Sequence, residues 1–117
     1  MTDLYEFKGK HYFGSLKDCQ TGITEDRTWI WEQLTRAISK SGATVVGYGD
    51  HIFPGGGLTC FFVLSESHCS IHTYPEKKSL FVDFFTCGDT CDPLSFHQEI
   101  CKIFQPENVN FNILDRY

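Results

Sequence analysis

Leu58-Thr59-Cys60-Phe61-Phe62-Val63-Leu64 is a short apolar run of aromatic and branched side chains, and it reads as a buried strand. Ser65-Glu66-Ser67 breaks the run. Strand-like segments follow at roughly 68–74 and 79–87, with only Pro75-Glu76-Lys77-Lys78 between them. Connections this short suit antiparallel neighbours, because a parallel pair needs a crossover of about a dozen residues or more. The middle of the chain is therefore expected to be an antiparallel meander.

Working outward, 7–16 reads as a strand ending in the turn-like Asp18-Cys19-Gln20-Thr21-Gly22. Thr24 is placed to cap a helix over 25–41, with Glu25 and Asp26 in its first turn, where negative charge suits the helix dipole. Ile30, Leu34, Ala37 and Ile38 recur at helical spacing and Gly42 ends the helix. Trp29 and Trp31 must then point different ways. A strand is expected over 43–50. Pro54-Gly55-Gly56-Gly57 is a loop, and not a phosphate loop, since no Gly-Lys-Ser/Thr follows. Asp92-Pro93 opens a second helix with Leu94, Phe96, Ile100, Cys101 and Phe104 facing inward; Pro106 closes it, and 109–114 forms a last strand. The order β-α-β-β-β-β-α-β predicts an α+β fold, a two-layer sandwich of a mainly antiparallel sheet with two helices on one face. The other face must be solvated or covered by a partner, and the abundance of aromatics favours a second subunit.

The chain has 117 residues, which suits one domain, 1–117, with one core. Its net charge of −5, with no Lys/Arg cluster, argues against nucleic acid as a partner. No apolar stretch approaches the roughly 20 residues of a membrane span, and Met1 to Lys10 lacks the apolar segment of an export signal. The expected location is the cytoplasm, where the six cysteines stay reduced; none forms a Cys-x-x-Cys pair. Most are expected to be small core residues.

Chemistry concentrates in Ser65-Glu66-Ser67-His68-Cys69-Ser70-Ile71-His72-Thr73-Tyr74-Pro75-Glu76. Strand parity puts His72, Tyr74 and Glu76 on one face if the strand runs that far. A hairpin between Tyr74 and Ser79 would carry Cys87 near the start of the preceding strand. These residues alone leave several readings open: an ordinary polar surface, a zinc site of His68, His72 and Cys87, or a Cys–His hydrolase. The spacing lacks the tight Cys/His pattern of a structural metal site, and no metal is expected.

The run Ser65 to Glu76 closely resembles the processing site of prokaryotic-type S-adenosylmethionine decarboxylases, which reads Glu-Ser-His, three residues, His-Thr-Trp-Pro-Glu. Phe85-Thr86-Cys87-Gly88 resembles that family's Phe-Thr-Cys-Gly. Gly9-Lys10-His11, Ser41-Gly42-Ala43-Thr44, His51-Ile52-Phe53 and Asp115-Arg116-Tyr117 extend the similarity over nearly the whole chain. The resemblance implies a proenzyme that cuts itself between Glu66 and Ser67. The products are a β chain, 1–66, and an α chain, 67–117, whose Ser67 has become a covalent pyruvoyl cofactor. It further implies His72 as the base that removes the Ser67 α-proton, Thr59 as a second processing hydroxyl and Cys87 as the proton donor in decarboxylation. Phe53 matches the aromatic that stacks on adenine, Tyr74 stands where Trp is usual, and Glu76 matches the carboxylate that holds the ribose. The implied substrate is S-adenosylmethionine, the product the aminopropyl donor for spermidine, and the implied assembly a homodimer with active sites at or near the subunit interface. Tyr74 and the glycine-rich 54–57 loop depart from the pattern. They leave ornithine or arginine as alternative substrates, beside a non-catalytic regulatory paralogue. Two further expectations follow. Ser67 and His72, five apart, fall on opposite faces of a regular strand, which predicts a kink or bulge at Ser67. Replacing Cys87 is expected to lower turnover while largely sparing cleavage.

Overall fold

The computed structural model describes residues 7–21, 23, 26–87 and 89–117. Six strands form one sheet: β1 (Gly9–Cys19), β2 (Val45–Ile52), β3 (Leu58–Leu64), β4 (Ser67–Tyr74), β5 (Ser79–Thr86) and β6 (Pro106–Arg116). Their spatial order is β2-β3-β4-β5-β1-β6, and each neighbouring pair is antiparallel. Two helices, α1 (Arg27–Lys40) and α2 (Pro93–Phe104), complete the expected α+β sandwich.

One face of the sheet is the core. Tyr12, Leu58, Cys60, Phe62, Cys69, Ile71, Val82 and Phe84 are buried against Ile30, Leu34 and Ile38 of α1 and Phe96, Ile100 and Phe104 of α2. Phe84 stacks on Phe96 with ring centres 4.3 Å apart. Residues one step along each strand face the other way. Register aligns three rungs there: His51, Thr59, His72, Phe81, Ser15, Asn110; then Gly49, Phe61, Ser70, Asp83, Phe13, Asn112; then Gly47, Val63, His68, Phe85, His11, Leu114. This open face is rich in apolar surface, with Phe61 49% and Phe81 51% exposed.

Several boundaries differ from expectation. The proposed cap Thr24 and Glu25 lie outside the described residues. Asp26 is itself the N-cap, not a first-turn residue: its extended backbone lets the carboxylate accept the Trp29 N–H at 3.1 Å. Trp29 packs edge-on against Phe104, whereas Trp31 is exposed. Gly42 follows the Ser41 cap with φ +99, and a Cβ there would run into the Thr90 carbonyl. In α2, Leu94 is exposed and His97 takes the inward position, because its Nδ1 meets the Tyr12 hydroxyl at 2.6 Å. Gln105 turns the chain in the left-handed conformation, so Pro106 starts a strand as well as ending the helix. β6 then pairs with β1 from Cys19↔Pro106 to Gly9↔Arg116, well beyond 109–114.

Candidate active site

The β3–β4 hairpin closes through Ser65 and Glu66 alone. Thr44 clamps this connection from both sides. Its carbonyl accepts the Ser65 N–H at 2.9 Å, and its N–H donates to the Glu66 carboxylate at 3.1 Å. The β4–β5 register, Ser67↔Thr86 through Tyr74↔Ser79, carries Cys87 to the same end. There the Cys87 backbone N–H (3.1 Å) and its thiol (2.8 Å) both donate to the Glu66 carbonyl oxygen. That oxygen belongs to the peptide bond joining Glu66 to Ser67. Two donors converging on one carbonyl draw electron density from its carbon and are disposed to hold an oxyanion. Ser67 opens β4, with its Oγ 3.2 Å from Nδ1 of His68. A cleft of about 290 Å³, lined by Phe7, Lys8, Gly9, Phe85, Cys87, Arg116 and Tyr117, opens beside Cys87.

A second cluster occupies the other end of β4. Thr59 Oγ1 hydrogen-bonds His72 Nδ1 across the β3–β4 pair. Phe53 lies edge-on to His72 at 5.7 Å, His72 to Tyr74 at 4.8 Å, and Tyr74 to Phe81 at 5.6 Å. Phe53 is held at its post by a tight turn, in which its carbonyl accepts the Gly56 N–H and its own N–H donates to the Gly57 carbonyl. Gly55 and Gly56 make that turn at φ +93 and +102. The strand stops at Tyr74, and Glu76 sits in the 3₁₀ turn Pro75–Lys77, exposed, so strand parity does not place it beside His72.

The predicted residues thus fall into two groups, Glu66, Ser67 and Cys87 at one end and Thr59, His72, Phe53 and Tyr74 at the other. No bulge reconciles them. β4 keeps unbroken register from Ser67 to Tyr74, and the chain bends at Ser65 and Glu66, just before the serine. Five residues of strand span about 17 Å. Within one chain, His72 does not reach Ser67.

The cysteines separate by surroundings. Burial pushes the Cys19 thiol up to about 11 and Cys60 up to about 12, and it also raises Cys69 and Cys91. These four are buried, unreactive packing groups, and all six cysteines are free. Among the described residues no group of three or more His, Cys, Asp or Glu side chains is placed to hold a metal ion. None of the described helices is long and apolar enough to cross a membrane. Sequence reasoning did not anticipate the Cys87 thiol on the Glu66 carbonyl, and it gave His68 only a metal-ligand alternative. The first depends on long-range register; the second was signalled by adjacency to Ser67.

A family profile described as S-adenosylmethionine decarboxylase matches residues 10–117. The chain is 37% identical over 109 residues to an S-adenosylmethionine decarboxylase proenzyme of Pyrobaculum aerophilum, covering 92% of this chain and 87% of the relative. A proenzyme of the same description from Methanococcus maripaludis is 38% identical over 102 residues, covering 87% and 84%. Among solved structures, the adenosylmethionine decarboxylase of Aquifex aeolicus superposes with a TM-score of 0.75 at 28% identity, covering 92% of this chain and 89% of that one. With the match spanning all but the first nine residues, the chain belongs to the S-adenosylmethionine decarboxylase family.

Proposed function

We propose that this chain is a proenzyme that cuts itself between Glu66 and Ser67, converts Ser67 into a pyruvoyl group and decarboxylates S-adenosylmethionine in the cytoplasm. The observation that carries the reading is the pair of Cys87 donors on the Glu66 carbonyl. A peptide carbonyl polarised twice and followed directly by a serine hydroxyl fits an N-to-O acyl shift. The Ser67 hydroxyl attacks the Glu66 carbon, the oxyanion rests on the Cys87 N–H and S–H, and the peptide C–N bond gives way to an ester. Loss of the Ser67 α-proton then expels Glu66 as a carboxylate. That elimination frees 1–66, and hydrolysis of the resulting dehydroalanine, through its imine, releases ammonia and leaves the pyruvoyl cap on 67–117. The pyruvoyl group supplies the electron sink that decarboxylation needs. The Cys87 thiol stands at the same end, placed to return a proton to the substrate α-carbon.

His72 is the imidazole suited to removing the α-proton, and Thr59 holds its Nδ1 side. Because about 17 Å of regular strand separates it from Ser67 in the same chain, it acts from a second copy. A two-fold axis lying between two open faces and crossing β4 near Ser70 sets the Ser67 end of one sheet over the His72 end of the other. It also covers Phe61 and Phe81. In that assembly Phe53 and Tyr74 of one protomer offer aromatic faces to the adenine of a substrate anchored at Ser67 of its partner, and Glu76 reaches the ribose hydroxyls.

Carbon dioxide release from carboxyl-labelled S-adenosylmethionine, ornithine and arginine tests substrate identity. Release from S-adenosylmethionine alone is expected, together with fragments 1–66 and 67–117 by intact mass. Release from ornithine or arginine reassigns the substrate, and an uncut inactive protein makes the chain a non-catalytic paralogue.

A further inference from the structure

We infer that His68, the residue after the cleavage point, is the general base of the first processing step, taking the Ser67 hydroxyl proton as that oxygen attacks Glu66. The inference rests on the cleavage reading above and assigns a role that His72 does not fill. Three observations carry it. The Ser67 Oγ lies 3.2 Å from His68 Nδ1, within reach for direct proton transfer. The imidazole is solvent-exposed on one side and rests against the Phe85 ring on the other, with centres 5.7 Å apart, and the Arg116 guanidinium lies 4.7 Å from the same ring. Room for Phe85 depends on Gly9, where a Cβ would come within 2.6 Å of the ring. Finally, the carbonyl under attack already has both its donors from Cys87, so a base at the hydroxyl is the one element the acyl shift still lacks.

The step balances without a co-reactant. The Oγ–H proton passes to Nδ1 as the Oγ–C bond forms. The oxyanion is held by the Cys87 N–H and S–H. As the C–N bond breaks, the imidazolium returns its proton to the departing Ser67 nitrogen. The result is a free amine, an ester at Ser67 and a neutral imidazole. His68 thus acts before the ester and His72 after it.

That order gives the test. His68→Ala, His68→Gln and His72→Ala chains, made by cell-free synthesis, are followed by intact mass with and without hydroxylamine, which cuts esters but spares peptide bonds. His68→Ala and His68→Gln are expected to slow cleavage on the order of 10²-fold or more. They should resist hydroxylamine, and added imidazole should restore cutting in His68→Ala. His72→Ala is expected to stall as the ester, which hydroxylamine splits into 1–66 hydroxamate and 67–117 with an unmodified serine. Cleavage of His68→Ala at the parent rate overturns the inference, as does a slow variant that accumulates ester or ignores imidazole. Both outcomes leave the cleavage reading standing. An uncut parent chain without ester rejects that reading instead.

Discussion

At the scale of single residues, the weight falls on the few atoms around one peptide bond. In the proposed cleavage Ser67 supplies the attacking oxygen, so Ser67→Ala should remain a single species of 117 residues by intact mass under conditions that split the parent chain. Cys87 supplies two donors to the Glu66 carbonyl, one from backbone and one from its thiol. Removing the thiol leaves the N–H in place, and loss of one oxyanion donor typically costs on the order of 10²–10³-fold in rate. Cleavage of Cys87→Ala should therefore slow by about 10²-fold in a time course of fragment appearance. The sequence alone leads to the expectation that cleavage is largely spared; the thiol's contact with the Glu66 carbonyl predicts the slower cut instead. Ser67, His72 and Cys87 stand out in the chain because their neighbours form a pattern that resembles the family's motifs. The contact between thiol and carbonyl does not, because it arises only when β4 and β5 pair with Ser67 opposite Thr86.

At the scale of elements, local chemistry explains what was readable and what was not. The strand over 58–64 was found to the residue, since its apolar run is bounded on both sides by turn residues. The start of α1 was misplaced because Thr24, Glu25 and Asp26 all carry side-chain oxygens; the extended backbone of Asp26 makes it the cap. Asp26→Ala should lower stability by about 1 kcal/mol, read from a urea midpoint. The length of β6 was hidden because nothing in Pro106-Glu107-Asn108 resembles a strand; its pairing with β1 makes it one. Gly9 tests the packing at the Glu66–Ser67 end of the sheet. An added methyl would meet the Phe85 ring at 2.6 Å and the Thr86 carbonyl at 2.8 Å. Gly9→Ala should cost about 1–3 kcal/mol through forced displacement of ring or strand.

At the scale of the whole molecule, two features separate the layers. On the core side, His97 is buried beside Tyr12, with Cys101 Sγ 3.6 Å from its Nε2. Burial lowers the His97 pKa, so the unfolded chain binds the proton more readily than the folded one. The stability gained from keeping it neutral is complete above the unfolded value of about 6.5 and drains away as pH falls below it. Melting temperatures from pH 8 to pH 5 should decline more steeply for the parent than for His97→Gln. On the open side, where Phe61 and Phe81 are exposed, a sheet face left uncovered by the helices was legible from the helix count. The division of the site between its two ends was not, because parity alone allowed a bulge that the unbroken β4 register rules out.

That division makes one measurement decisive. Ser67→Ala and His72→Ala chains, distinguishable by mass, are co-expressed and compared with each expressed alone. If Ser67 of one protomer is processed by His72 of another, the His72→Ala chain should be split into 1–66 and a pyruvoyl-capped 67–117 only when the Ser67→Ala chain is present to lend its imidazole. Completed cleavage of His72→Ala expressed alone, or none in the mixture, would contradict the account.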